Sequence, residues 1–112
     1  MANTYNNKGF SLGDTSLTTV YTVPTGRTAI IKAIQLSNDH SSAVQVEVSY
    51  TDTSASATYK FYHADVATET SVNACLAPIV LESEDDLKIQ AGTASKIEGV
   101  VSFMEVFDEK SA

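Results

Sequence analysis

Two residue types in this chain could carry out covalent or acid–base chemistry, and one run could hold a cation. Cys75 is the single thiol, and His40 and His63 are the two imidazoles. A cysteine nucleophile activated by a histidine base would need the fold to bring Cys75 to His63. The local patterns point elsewhere. His63 alternates with Tyr59 and Phe61, which predicts a place on an aromatic face. A lone cysteine among apolar neighbours is ordinarily a small buried hydrophobe. His40 sits in Asn38-Asp39-His40-Ser41-Ser42, the composition of a solvated turn. The run Glu82-Ser83-Glu84-Asp85-Asp86 is the one dense charge cluster. Grouped carboxylates suit calcium, but the run lacks the spaced ligands of an EF-hand loop, and a solvated acidic turn between strands is the plainer expectation. No P-loop, dinucleotide-binding glycine pattern, Ser-His-Asp signature or Cys/His zinc spacing occurs. The expectation is a protein that is not an enzyme and holds no cofactor or metal.

Composition narrows the partners. With 112 residues the chain predicts one domain able to close a single core. Fourteen acidic residues against seven basic ones give a formal charge of −7. The basic residues (Lys8, Arg27, Lys32, Lys60, Lys88, Lys96, Lys110) are scattered singly rather than clustered as phosphate neutralisation requires, so no nucleic-acid partner is expected. No apolar run approaches the ~20 residues that span a bilayer, and the opening MANTYNNKGF has no apolar segment or cleavage-site pattern. Neither membrane insertion nor secretion by that route is expected. Cys75 cannot form a disulfide within the chain, which agrees with synthesis in a reducing cytoplasm.

The elements that would position these residues read as short strands between turns. Residues 1–14 are polar, with Tyr5 and Phe10 as the only large apolar groups, and predict an extended arm that is ordered only where something holds it. Residues 17–23 (LTTVYTV) suit a pleated, half-buried surface. Val23-Pro24-Thr25-Gly26 follows, with proline second and glycine fourth as in a type I turn. Residues 27–37 are ambiguous between helix and strand. Read as a strand in a hairpin, they place Ile30, Ile34 and Leu36 on one face with Lys32 as an interruption. Val44, Val46, Val48 and Tyr50 then alternate with polar residues, and a further strand spans 58–64. Residues 65–76 are weakly patterned and fit an edge strand or a loop. Pro78 opens the short run Ile79-Val80-Leu81, and Leu87, Ile89 and Ala91 alternate beyond the acidic turn.

The last segment, 96–108, differs because both of its faces are largely apolar. Ile97, Val101, Phe103 and Phe107 share one face; Val100, Met104 and Val106 share the other. A strand in a two-layer sandwich should be wet on its outer side, so this surplus predicts a second cover, either the amino-terminal arm or a neighbouring subunit. The whole reads as all-β: a single β-sandwich of about eight short strands, jelly-roll-like or Ig-like, over residues 15–112, preceded by the arm.

Residues 20–37, VYTVPTGRTAIIKAIQLS, and 78–90, PIVLESEDDLKIQ, resemble the small β-sandwich virion proteins of tailed bacteriophages, marine and cyanobacterial ones especially. Tyr21, Thr22, Val23, Pro24, Gly26 and Thr28 match a Tyr-Thr-Val-Pro-x-Gly-x-Thr opening, and Pro78, Leu81, Asp85 and Leu87 match a later Pro-x-x-Leu-x-x-x-Asp-x-Leu/Ile element. The resemblance implies a structural virion component assembled in the host cytoplasm. Head decoration is the leading expectation, with neck or tail attachment as the alternative. A homo-oligomer, a trimer for instance, would be held by many weak contacts to itself and to other virion proteins such as the major capsid protein. The expected contact residues are Tyr5 and Phe10 on the arm and Val100, Met104 and Val106 on the last strand. A calcium- or carbohydrate-binding sandwich using the acidic turn is the competing expectation of another class.

Overall fold

The computed structural model describes residues 3–107. Its strands, in chain order, are β1 (Thr4–Leu12), β2 (Thr18–Thr22), β3 (Arg27–Asn38), β4 (Val44–Asp52), β5 (Ala57–Val66), β6 (Ser71–Asn73), β7 (Ile79–Leu81), β8 (Asp86–Ala91) and β9 (Ile97–Phe107). They form two antiparallel sheets. In the first, β1 pairs with β9 and β9 with β3, while β6 and β7 lie one after the other along the far edge of β3. In the second, the order is β2-β8-β4-β5. Among the described residues, only β4 and β5 form a hairpin inside one sheet; apart from the step from β6 to β7, every other connection crosses between sheets. That strand order is a jelly roll in which β6 and β7 share one strand position.

Period-two patterning explains the core. Val44, Val46 and Val48 on β4 and Leu87, Ile89 and Ala91 on β8 are buried, and they face Ile31, Ile34 and Leu36 of β3 and Ile97 and Val101 of β9. Each such aliphatic side chain contributes roughly 1.5–3 kcal/mol by leaving water. Cys75, just past β6, is buried in the same cluster.

The structure corrects three local expectations. First, the register of β3 against β9 slips between Ile31 and Ala33, a β-bulge at Lys32. The extra residue reverses the alternation, so Ile31, Ile34 and Leu36 point inward while Ile30 takes the outer face. The helix-like spacing of the isoleucines is this bulge. Second, the turn after β2 is shifted by one residue, with the Arg27 amide donating to Pro24 O at 3.2 Å. Gly26 has φ 80°, a left-handed conformation that glycine adopts without strain. The strands it joins lie in different sheets rather than in a hairpin. Third, a register shift between Val48 and Ser49 puts His63 opposite Glu47 on the outside of the second sheet, half exposed, instead of on the aromatic face.

Residues 4–12, anticipated as an arm, are extended and are held by β9 along their whole length, from Thr4↔Glu105 to Leu12↔Ile97. β1 lies beside β9, at its edge, and not over its outer face. Leu12 reaches the core, Phe10 packs partly against it, and seven of the nine residues are exposed. The weakly patterned 65–76 stretch contributes only the three residues of β6.

Candidate functional site

The outer face of the first sheet carries a row of apolar side chains directly across four strands. Tyr5 of β1 opposes Met104 of β9, Met104 opposes Ile30 of β3, and Ile30 opposes Val80 of β7. Tyr5 is 79% exposed and Val80 59%, while Met104 and Ile30 are half buried. Val106 lies two residues further along β9 and Val100 four residues back, both half buried. Lys32 stands at the bulge of this face and Glu98 near the opposite end. Four of the five anticipated contact residues therefore share one surface. Phe10 does not: it opposes Gly99 on the inner side. Ile30 and Val80 were not anticipated. The bulge hid the first, and the second sits in a three-residue strand whose pairing no local pattern reveals.

The inner side of β9 fixes the strand that carries this row. Glu105 is buried, and its carboxylate accepts from Tyr21 Oη at 2.6 Å and from Arg27 at 2.8 Å. The Arg27 guanidinium also lies 4.3 Å from the centre of the Phe107 ring, and Tyr21 and Phe103 rings are 4.2 Å apart. Burial, followed by the adjoining Glu105 carboxylate, pushes the Tyr21 hydroxyl far above the ordinary tyrosine range. This network joins β2 and β3 to β9 across the two sheets. At the other end of β9, a Cβ on Gly99 would lie 2.0 Å from Gln35 O and 2.8 Å from Leu36 Cα, so the backbones of β9 and β3 meet where only glycine fits.

The candidate reactive groups are not brought together. Cys75 is buried with its thiol donating to Ala77 O at 3.0 Å, and burial raises its pKa. His63 lies on the outer face of the other sheet beside Glu47, whose carboxyl is held below its usual range mainly by its hydrogen bond to Lys60. The His40 turn is ordered by buried Asn38, whose side-chain amide donates to Ser42 O and Val66 O at 3.0 and 2.9 Å.

The acidic run is less solvated than its composition predicts. Asp85 is buried and accepts from the Thr53 and Glu82 amides at 3.1 and 2.9 Å. Its backbone also bonds Val23, and Gly26 donates to Ser83 Oγ at 3.0 Å. The run clamps the β2–β3 turn and the β4–β5 loop together. Carboxylate oxygens of Asp52, Glu82 and Asp85 lie within 4.8 Å of one another. Those of Asp52 and Asp85 already receive loop donors, Ser54 Oγ at 2.7 Å in the case of Asp52.

No family model and no curated protein matches this chain. Among solved structures, the Bacillus endospore appendages described as a family of disulfide-linked pili align with a TM-score of 0.58. Identity there is 12%, over 96% of this chain and 88% of that one. Two structures of a pentameric capsid protein isolated from metagenomic phage sequences align with TM-scores of 0.48 and 0.47, at 16% and 17% identity. Both alignments cover 94% of this chain but only 63% and 65% of those chains. At such identities the pilus likeness establishes the fold alone: this chain is an all-β sandwich similar in fold to that endospore-appendage protein.

Proposed function

We propose that this protein is a non-enzymatic structural subunit of a tailed-phage particle, a decoration protein that associates with copies of itself through the outer face of its first sheet. The carrying observation is the apolar row Tyr5–Met104–Ile30–Val80, with Val100 and Val106 beside it. At its widest the four-strand face is about 19 Å across and ~36 Å along β9, by the usual strand spacing and rise. The resulting area, on the order of 700 Å², is comparable with the ~800 Å² per partner of a standard protein interface. The apolar row occupies part of that face, beside polar positions such as Asn7, Ser102 and Gln35, and a lone domain gains nothing from leaving the row wet. The motifs around Pro24 and Pro78 supply the setting, since they resemble virion proteins, and many weak contacts on a lattice add up to firm attachment.

The fold shared with a pilus subunit favours a second reading, a neck or tail unit assembled in a ring or fibre. Reconstruction of intact particles separates the two: hundreds of copies over the shell are expected for decoration, and a dozen or fewer at one vertex would overturn it. In solution, Met104→Glu is expected to give monomers. An oligomer of unchanged size in that variant would remove the proposed face.

A further inference from the structure

We infer that β1 is an exchangeable strand, which leaves its own β9 and pairs with the β9 of a second copy when subunits assemble; the inference rests on the self-associating role proposed above and gives that role a mechanical link. Four observations carry it. Among the described residues β9 is the one strand that pairs with β1, so β1 can leave without dismantling any other strand pairing, at the loss of one further backbone bond, from the Ser95 amide to Leu12 O at 2.9 Å. Seven of its nine residues are exposed; Leu12 is buried and Phe10 packs partly against the core, so side-chain packing holds the strand at its far end alone. The chain that follows, residues 13–17, is exposed throughout, and a Cβ at Gly13 would meet nothing within 4 Å. That connection is tied to β8 and the β8–β9 turn by two side-chain hydrogen bonds, Gln90 Nε2 donating to Thr15 O at 3.0 Å and Ser95 Oγ to Gly13 O at 3.3 Å.

Exchange rebuilds identical contacts in the partner, so the closed and exchanged forms differ only in the strain of the connection and in local concentration. A short flexible connection gives the closed form an effective concentration of order mM. Neighbours on a lattice are held at least that close, so assembly removes the advantage of the closed form. Each subunit is then threaded to the next by a nine-residue ladder, and dissociation requires that ladder to open. Five residues at up to ~3.4 Å each limit the reach to ~17 Å, so only a directly adjoining copy can receive the strand.

The test places cysteines on opposed positions of the two strands. Asn7 opposes Ser102, and the Cα separation of an antiparallel pair, ~4.5–5.5 Å, permits a disulfide. A chain carrying N7C, S102C and C75A is concentrated under reducing conditions until light scattering shows oligomers, then oxidised and run on a denaturing, non-reducing gel. Expected is a ladder of covalent dimers and longer species that grows with protein concentration. Deleting Thr15 and Ser16, which shortens the connection and penalises closure, should shift more material into the ladder. Monomers with an internal bridge, in a sample that scatters as oligomers, would overturn exchange while leaving self-association intact. Free thiols in such oligomers would overturn it equally, because β1 would then pair with no β9. A sample that scatters as monomers at every concentration would overturn both readings. If the N7C, S102C chain fails to fold, Ser11→Cys with Glu98→Cys, another opposed and exposed pair, gives the same readout.

Discussion

Glu105 is a carboxylate where the alternation of β9 calls for a hydrophobe, and only its partners explain it. Tyr21 lies 84 residues away in the sequence and donates at 2.6 Å, and Arg27 completes the pair at 2.8 Å. Tyr21→Phe should cost about 1.5–3 kcal/mol, the usual worth of a hydrogen bond to a charged group. The same substitution has a pH signature. The folded-state pKa of Tyr21 is raised above the value near ~10 of an unfolded tyrosine. Below that pH both states keep the proton and the stabilisation is fully present; above it the unfolded chain releases the proton first, and the contribution is lost as pH rises toward the folded value. Urea midpoints should therefore show the wild type losing its advantage over Tyr21→Phe between pH 9 and about 11.5. An advantage that stays constant over that interval would show the hydroxyl is not held as described. Asp85 is the other buried acid. Asp85→Ala strips acceptors from the Thr53 and Glu82 amides at roughly 1–3 kcal/mol each where they are shielded from water. Asp85→Asn, which keeps one acceptor oxygen, should fall between wild type and alanine in the same melts. Equal losses for both variants would mean the charge, not the amide contacts, matters there.

At the scale of elements, β4 and β8 were legible from alternation alone, because a clean period of two is what one buried and one wet face produce. β3 and β5 were legible as strands but not in their facing. One inserted residue at Lys32, and another shift beside Val48, moved Ile30 outward and His63 away from the aromatic side, and bulges leave no mark in the pattern except its failure. β1 was read as extended because a polar segment has no core face to reveal; its ladder to β9 is a backbone interaction to which side-chain patterning is blind. Gly99 stands where the backbones of β9 and β3 come closest. Gly99→Ala drives a methyl into the Gln35 carbonyl at 2.0 Å, and neither strand can yield without disturbing the ladder. The expected cost is about 1–3 kcal/mol, in line with overpacked positions. Hydrogen exchange should localise the loosening to residues 34–37 and their β9 partners. A variant with wild-type stability would mean the two backbones separate freely at that point.

The molecule as a whole sets an apolar face against a strongly negative charge. At −7, copies repel one another at long range, while the face through which they are proposed to meet is apolar along the Tyr5–Met104–Ile30–Val80 row. The repulsion is between exposed charges and is screened over a Debye length of about 10 Å at 0.1 M salt, whereas burial of apolar area is little affected at that concentration. Association should therefore strengthen as salt rises from about 20 mM to about 300 mM, the opposite of an interface built from ion pairs. Sedimentation or light scattering across that series reads the sign directly. Stability should follow the same equilibrium, because an interface formed only by the folded state raises the melting temperature with protein concentration. A tenfold increase should raise the wild-type midpoint by a few degrees, given that about 1 kcal/mol moves a domain of this size by roughly 4–8 °C. Met104→Glu should melt at one temperature whatever its concentration. Oligomers that dissolve as salt is added would transfer the interface from the apolar row to surface charge, and a concentration-dependent midpoint that survives Met104→Glu would move it to another face.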